Sequence, residues 1–378
     1  MFKVCTLDVM EIIIGVIITK TDGDNMPNIE ILGTGFIDQR DSAFPQAVQL
    51  SNGDILCSFN VGGGHFVTGG TDWARSCDGG YSWDVEGSIL PATLSPPSTN
   101  ALKLSISSDR NVLYAYGSRS YPTDKDRFGH TENEAVFCSS NDQGKHWSEP
   151  QVVPFQREGS IEVSHGILPL SSGRMLAPAA TLPEGRLGEK VLAAVSDDGG
   201  RTWCSQVVIF KDPEYKRGYF EQKLAEISPG TLLATAWTVT FGDVKDMPNS
   251  FVVSTDDGTS WSAPVETEFF GQTMTPVPID GNKMLILYNK RYGAQAVMMA
   301  LVTFTKEGWI THLDKPMWDS KTSRDKPEGE YTGVEELKKL EFGFPTAIKL
   351  DDGTFLATHW TKETGVFGVR WTKLRIDW

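Results

Sequence analysis

The chain has 378 residues, of which 39% are hydrophobic, 22% are charged and 37 are glycine, a composition typical of a globular protein with many turns. Asp and Glu number 49 against 35 Lys and Arg, a formal net charge of -14 with no local basic run, so nucleic acid and anionic membrane surfaces are poor candidate partners. The five cysteines have no CxxC spacing and no accompanying His cluster, which predicts neither a disulfide framework nor a metal site, and no motif indicates a cofactor.

The amino-terminal segment is the first element of the chain. Residues 9–18 (VMEIIIGVII) are apolar but too short to span a bilayer. Glu11 interrupts them, only Lys3 precedes them, and no small-residue cleavage pattern follows, so the segment does not match a secretory signal peptide. We predict that residues 1–25 are a leader or a disordered extension, and that the protein is cytoplasmic rather than secreted.

Six segments that predict β-hairpins follow along the chain. Each combines alternating apolar residues, in most copies a turn such as NG, SG, PG or DG, and a second apolar run; the second copy is the weakest. They are FPQAVQLSNGDILCSF (44–59), LKLSISSDRNVLYAY (102–116), HGILPLSSGRMLAPA (165–179), EQKLAEISPGTLLATAW (221–237), TPVPIDGNKMLILY (275–288) and FPTAIKLDDGTFLATHW (344–360).

A second pattern, S-x-D-x-G-x-[ST/H]-W, occurs four times at spacings of about 60 residues. In such a segment the Asp can accept hydrogen bonds from the amides of its own turn, Gly supplies a positive φ, and Trp packs the turn against its neighbour. The pattern therefore predicts a tight hairpin turn in each copy, at residues 76–83, 140–147, 196–203 and 254–261.

Together these repeats predict an all-β, six-bladed β-propeller with four-stranded blades. The fifth blade keeps only a remnant of the turn at residues 305–309, and the sixth has only three strands, ending in residues 367–376. We expect residues 28–37 to supply the missing strand and close the ring, so that residues 28–378 form one domain. The only predicted helical turn lies at residues 333–340.

The four repeated turns resemble the Asp-box, or BNR, repeats of the sialidase (neuraminidase) superfamily, and the resemblance covers nearly the whole chain. It implies a six-bladed propeller and an exo-acting glycoside hydrolase of sialidase type. Two motifs depart from the family pattern. Ala43-Phe44-Pro45 stands where the family has Arg-Ile-Pro, with Arg40 the nearest substitute, and Phe342-Gly343-Phe344 stands where a tyrosine nucleophile is expected, with Tyr331 the nearest candidate. These departures imply a different terminal sugar, either uronic or neutral.

Chain direction predicts where a pocket forms. The hairpin turns and the repeated turns lie at one end of the ring, so the starts of the inner strands and the long loops lie at the other, where propeller pockets form. Glu221 opens an inner strand there, and its surroundings resemble the glutamate segment of sialidases, which makes it the first candidate for catalysis. Asp72 follows the Gly-rich loop 62–70, where the family carries its acid, and Glu162 competes for either role.

Seven further residues at this end are candidates for binding a carbohydrate through cationic, imidazole or aromatic side chains. Each also has a structural interpretation: a hydrogen-bonded histidine, a surface ion pair or a core aromatic residue. They are Arg40, His165, Arg119, Arg291, Trp237, His359 and Trp360.

Two other functions fit the same sequence. Asp-box propellers also serve as non-catalytic carbohydrate-binding or scaffold modules. A lyase acting on uronic sugars would use His165 or a tyrosine as base, beside an arginine that neutralises the carboxylate.

Overall fold

A computed structural model describes residues 26–122, 132–242, 245–305, 308–324, 339–363 and 365–378. The predicted leader, Tyr331 and most of the predicted helical turn lie outside the described residues. Within these ranges the secondary structure consists of 26 β-strands and one short 3-10 helix, Gly64–Phe66. The strands form six antiparallel sheets, so the predicted six-bladed β-propeller is confirmed.

Each blade is built on four antiparallel strands, and blades II and III carry one additional two-residue strand. Blade I contains β2 (Ser42–Gln49), β3 (Ile55–Val61), β4 (Gly70–Ser76) and β5 (Asp84–Leu90). Blade II contains β6 (Thr93–Leu94), β7 (Pro97–Ile106), β8 (Leu113–Tyr121), β9 (Glu132–Ser140) and β10 (Gln151–Val153). Blade III contains β11 (Ser160–Glu162), β12 (Leu168–Pro169), β13 (Met175–Leu182), β14 (Lys190–Ser196) and β15 (Ser205–Lys211). Blade IV contains β16 (Arg217–Ser228), β17 (Thr231–Thr240), β18 (Asp246–Ser254) and β19 (Val265–Glu266). Blade V contains β20 (Gln272–Asp280), β21 (Lys283–Lys290), β22 (Gly293–Thr305) and β23 (Gly308–Arg324). Blade VI contains β24 (Phe342–Lys349), β25 (Phe355–Glu363), β26 (Val366–Asp377) and β1 (Asn28–Asp38).

The ring is closed by the first strand of the chain. β1 pairs antiparallel with β26, from Asn28 opposite Asp377 to Asp38 opposite Val369, and completes blade VI. The inner strands of blades VI and I, β24 and β2, contact each other, as do those of blades IV and V. This confirms the predicted closure, which leaves no open blade between the two ends of the ring.

The hydrophobic core lies between neighbouring blades. At one seam, Leu176 and Val195 of blade III belong to the same buried cluster as Leu232 and Val252 of blade IV. Successive side chains of a strand point to opposite faces of the sheet and thus towards the two adjacent blades, which explains the alternating apolar pattern of the sequence.

Each of the four repeated turns is stabilised by hydrogen bonds within the turn. In the first, Asp78 accepts from the Ser82 amide and hydroxyl at 2.9 and 2.6 Å and from the Ser76 hydroxyl at 2.8 Å, while Ser76 Oγ accepts from the Gly80 amide at 2.9 Å. These bonds, above all that from the Ser82 hydroxyl, lower the pKa of Asp78 to about 2. The same pattern recurs at Asp142, Asp198 and Asp256.

A side chain of an inner or second strand also donates a hydrogen bond across each of the six seams between blades. In ring order from the seam of blades I and II, the donors and acceptors are Ser58 to Leu102 O, Lys103 to Val163 O, Lys223 to Ser164 O, Thr235 to Met274 O, Thr275 to Pro345 O and Thr346 to Pro45 O.

The two lysine donors end on blade III, whose inner strand is interrupted between β11 and β12. Val163 and Ser164 lie in this interruption, outside the pairing with β13. Their carbonyl groups are therefore available to accept from side chains instead of from a neighbouring strand.

Candidate functional site

A cavity of about 690 Å³ lies at the end of the ring opposite the repeated turns, with lining residues from all six blades. Most of them come from the starts of the inner strands and the ends of the second strands, such as Phe44, Glu221 and Trp360. These are the strand ends at which the chain direction predicts a pocket. The volume is in the usual range for small-molecule sites.

A β-bulge recurs in the inner strands of blades I, IV, V and VI. In each, a residue other than glycine has φ between 47 and 54° at the register shift: Phe44, Glu221, Thr273 and Phe344. A left-handed backbone costs a residue with a Cβ roughly 1–2 kcal/mol. All four residues line the cavity, so the strained positions of these strands coincide with the candidate site.

Two glutamates from neighbouring blades share the cavity wall. Glu162 ends β11, and its Oε2 accepts a hydrogen bond of 3.1 Å from the Glu221 amide. Glu162 Oε1 and Glu221 Oε2 are buried and have no hydrogen-bond partner among the described residues. Such atoms are the ones a ligand can satisfy.

The electrostatic surroundings of the two carboxyl groups differ. Burial, followed by repulsion from Glu221, raises the pKa of Glu162 to about 7. Burial also raises the pKa of Glu221, but Arg291 and then Lys223 oppose this rise by favouring the carboxylate. Glu162 therefore retains a proton near neutral pH, whereas the neighbouring positive charges offset part of the rise in the pKa of Glu221.

Lys103 and Lys223 stand beside the glutamates, and each is less than 5% exposed. The Nζ atom of Lys223 lies 3.4 Å from the centre of the Phe344 ring, and that of Lys103 lies 5.6 Å from it. Burial lowers the pKa of Lys103 to about 8, although Glu162 and Glu221 oppose the change. Burial and the charge of Lys103 likewise lower the pKa of Lys223.

Aromatic residues form much of the remaining wall. Trp237 donates from Nε1 to Asp246 Oδ1 at 2.6 Å, and Trp360 stacks on His65 at 5.4 Å with the rings 7° from parallel. The Arg291 guanidinium lies 4.2 Å from the centre of the Phe342 ring, and its Nε donates to Gln272 at 3.1 Å. Of the predicted binding residues, Trp237, Trp360 and Arg291 line the cavity.

Asp72 and Arg40 do not belong to this lining. Arg40 donates to Asp38 at 2.6 Å and to Asp72 at 3.1 Å, and its side chain is half exposed. The carboxylate of Asp72 is thus held by an ion pair on β4, the third strand of blade I, and it is not part of the lining that contains Glu162 and Glu221.

Arg119 likewise lies outside the lining and pairs with Glu134 on the adjacent strand. Ser118 and Ser120 line the cavity, so Arg119 between them points to the other face of the sheet, as the alternation of a β-strand requires.

The two predicted histidines also lie outside the cavity lining. His165 Nδ1 contacts the Gly166 carbonyl at 2.7 Å, and burial, then the charge of Lys223, lowers the pKa of His165 to about 4. His359 is fully buried, its ring centre lies 5.6 Å from that of Trp318, and burial lowers its pKa to about 3. Both imidazoles are neutral at physiological pH.

Sequence reasoning gave no role to Lys103, Lys223, Thr273 or Asn289. Lys103 and Lys223 had a usable signal: each is a charged residue inside a predicted inner strand, where a side chain must face either a neighbouring blade or the axis. Thr273 and Asn289 had no such signal, because small polar residues are common at strand ends.

Comparison with solved structures places this fold among known propellers. A protein of unknown function from Dyadobacter fermentans superposes with a TM-score of 0.73 at 17% identity, covering 92% of this chain and 99% of its own. A mutant NanB sialidase from Streptococcus pneumoniae gives 0.62 at 13% identity, covering 89% and 68%. The intramolecular trans-sialidase from Ruminococcus gnavus, solved with oseltamivir carboxylate, gives 0.61 at 12% identity, covering 92% and 97%.

The fold is therefore sialidase-like. No protein-family model matches the chain, and no curated protein matches it. Among the described residues there is no helix long and apolar enough to cross a membrane, and no group of three or more His, Cys, Asp or Glu side chains arranged to hold a metal ion.

Proposed function

We propose that the protein is an exo-acting glycoside hydrolase that cleaves a terminal sugar, with Glu162 and Glu221 as its reacting carboxyl groups. The observation that carries the proposal is this pair of neighbouring carboxyl groups with different electrostatic surroundings in one cavity. Glycoside cleavage requires one group that protonates the leaving oxygen and another that attacks the sugar or activates water.

We assign the two roles from the surroundings of the two carboxyl groups. Glu162 is the general acid, because its raised pKa keeps a proton available near neutral pH. Glu221 is the nucleophile or base, because Arg291 and then Lys223 oppose the effect of burial on its pKa, whereas Glu162 has its pKa raised further by Glu221. Proton transfer from Glu162 to the leaving oxygen then accompanies breakage of the glycosidic bond, and Glu221 or its activated water forms the new bond at the sugar carbon.

The rest of the cavity supports a sugar ligand. Trp237 and Trp360 contribute aromatic side chains to the cavity wall, and aromatic side chains are the kind of group against which sugar rings pack. Arg291 and Lys103 supply positive charge for a terminal sugar that carries a carboxylate. The sialidase and trans-sialidase among the similar structures agree with carbohydrate as the ligand class.

Hydrolysis of a panel of chromogenic glycosides tests the proposal. The panel contains a sialoside, a glucuronide and neutral hexosides, and is assayed with wild type, Glu162→Gln and Glu221→Gln. We expect each substitution to lower kcat by about 10²–10⁴-fold on the substrate that wild type cleaves.

Glu226→Gln is the matched control, because Glu226 lies on the same strand as Glu221 but its carboxylate accepts from the amide and hydroxyl of Ser171 outside the cavity. Asp72→Asn tests the acid that the sequence favoured. Undiminished activity in Glu162→Gln together with loss in Asp72→Asn would move the acid to blade I and contradict the proposed pair.

The lowered pKa of Lys103 supports a second candidate, a lyase acting on uronic sugars. A neutral Lys103 amine would remove the proton next to the sugar carboxylate while Arg291 neutralises that carboxylate, and elimination would release the leaving oxygen and create a carbon–carbon double bond. An unsaturated product absorbing in the ultraviolet would favour the lyase, and a saturated sugar would favour the hydrolase. Binding of glycans without turnover would favour a non-catalytic carbohydrate-binding module.

A further inference from the structure

We propose that Thr273 and Asn289, on the blade V wall of the cavity, form a subsite for two neighbouring hydroxyl groups of a sugar ring. The proposal rests on the proposed function only for the ligand class, since it needs a bound sugar but no cleavage.

The first observation is the lack of protein partners for polar atoms at this wall. Thr273 and Asn289 both line the cavity, and each is only 1% exposed. Thr273 Oγ1 and Asn289 Oδ1 and Nδ2 have no hydrogen-bond partner among the described residues. Because buried polar side-chain atoms are normally hydrogen-bonded, these three atoms are suited to a polar ligand.

The second observation is the position of this pair in the repeat. Thr273 occupies the bulge of β20, and Asn289 pairs with the residue before that bulge, Gln272. The equivalent pairs are Glu221 with Trp237 in blade IV and Phe344 with Trp360 in blade VI. The polar pair of blade V thus stands between a reacting carboxyl group on one side and an aromatic wall on the other.

The backbone of Thr273 is also strained. Its φ of 49° is unusual for a β-branched residue, for which the left-handed region is unfavourable. Glycine would adopt this conformation without the steric penalty, so Thr273 keeps a strained backbone at a position that lines the cavity.

The donors and acceptors of the pair select the ligand group. The Asn289 amide offers one acceptor oxygen and a donor nitrogen, and the Thr273 hydroxyl can both donate and accept. Two neighbouring hydroxyl groups can satisfy both amide atoms of Asn289, since one donates to Oδ1 while the other accepts from Nδ2, and either hydroxyl can also pair with Thr273 Oγ1. A carboxylate only accepts and would leave Asn289 Oδ1 without a donor. Thr273 and Asn289 therefore favour sugar hydroxyl groups over an acidic group.

Binding of free monosaccharides tests the subsite without requiring catalysis, because these sugars contain no glycosidic bond to cleave. Galactose, glucose, mannose, glucuronic acid and N-acetylneuraminic acid are titrated into the intact protein by calorimetry. The monodeoxy analogues of the tightest ligand follow. We expect two analogues lacking adjacent hydroxyl groups to bind wild type about 10- to 100-fold more weakly than the parent sugar, because each leaves a buried polar atom unpaired.

Thr273→Val and Asn289→Leu should bind the parent sugar more weakly and should no longer distinguish it from the analogue that lacks the hydroxyl facing the altered residue. Thr273→Gly, which removes the hydroxyl but suits the positive φ, should lose the same discrimination while remaining as stable as wild type. Thr303→Val is the matched control in the same blade, since the Thr303 hydroxyl contacts His312 and does not line the cavity.

Three results would overturn the inference: no sugar of the panel binds, wild type binds every deoxy analogue within twofold of its parent, or the Thr273 and Asn289 variants keep full discrimination. Failure of the proposed hydrolase is a separate result. Discrimination without turnover of any glycoside would leave the subsite in place and remove only the catalytic proposal.

Discussion

Carboxyl groups at the two ends of the propeller have opposite environments. At the turn end, Asp78 accepts hydrogen bonds from amides and hydroxyls of its own turn, and its pKa falls to about 2. At the cavity end, Glu162 accepts one amide hydrogen bond, its other oxygen has no partner among the described residues, and its pKa rises to about 7. A carboxyl group with many partners stabilises a turn, whereas one deprived of partners can exchange a proton with a ligand.

The largest expected effect concerns the pH dependence of activity. If Glu162 is the general acid, kcat/KM falls about tenfold per pH unit above pH about 7, as this group loses its proton. Glu162→Gln should abolish this decline along with most of the activity, and Glu226→Gln should keep the wild-type profile. Initial rates measured from pH 4 to about 10 check this. A decline of unchanged position in Glu162→Gln would assign it to another group.

The second prediction concerns stability at the cavity end. Because the pKa of Glu162 rises from 4.5 to about 7 on folding, the folded protein binds more protons than the unfolded chain between these pH values. The contribution of this group to the free energy of unfolding is therefore fully present below pH about 4.5 and is lost as the pH rises through about 7. Glu162→Gln should flatten the dependence by on the order of 2 kcal/mol.

Urea denaturation of wild type and Glu162→Gln across this pH range measures the difference. An equal slope with pH in both proteins would show that the Glu162 carboxyl group is not desolvated in the folded state.

The third prediction concerns the turn end. Asp78→Ala removes the acceptor of the Tyr81 and Ser82 amides, and should lower the free energy of unfolding by about 1–2 kcal/mol, as for the loss of a helix cap. The melting temperature should fall by a few degrees while kcat stays unchanged. Asp84→Ala, at an exposed position of β5, is the control. A loss of activity without a loss of stability would contradict the view that the turn end stabilises the fold and the cavity end carries the activity.

The smallest expected effect concerns one seam between blades. Thr346→Val removes the hydroxyl that donates to the Pro45 carbonyl at 3.2 Å, and should lower the free energy of unfolding by about 1 kcal/mol. Thermal unfolding monitored by circular dichroism can detect the change. A change in activity with unaltered stability would show that this seam matters to the cavity more than to the ring.

The fold was predictable because its signals are local and repeated. Turn residues and alternating apolar positions recur in each blade, and the shortage of one strand in blade VI pointed to residues 28–37, which do pair with β26. Chain direction then fixed which strand ends meet. Glu221 and Glu162 were candidates for this reason, and both line the cavity.

The direction of individual side chains was harder to predict. The bulges at Phe44, Glu221, Thr273 and Phe344 add a residue to the strand, so simple alternation no longer indicates which side chain faces the axis. Arg119 followed the alternation of its strand away from the cavity, which its position near a strand end did not reveal. Whether a side chain faces the cavity depends on these bulges and on which face of its strand meets the cavity, and neither can be read from a short stretch of sequence.

The seams beside blade III have a consequence for redesign. Lys103 lines the cavity and Lys223 lies buried beside the two glutamates, and both amines also donate hydrogen bonds that hold the interrupted inner strand of blade III, to Val163 O and Ser164 O. Replacing the two lysines to change the charge of this site therefore also requires new donors for both hydrogen bonds, ideally uncharged side chains of similar length. The threonine hydrogen bonds at the two seams of blade VI have no second role in the cavity. They are therefore the safer positions at which to weaken or strengthen the contacts between blades.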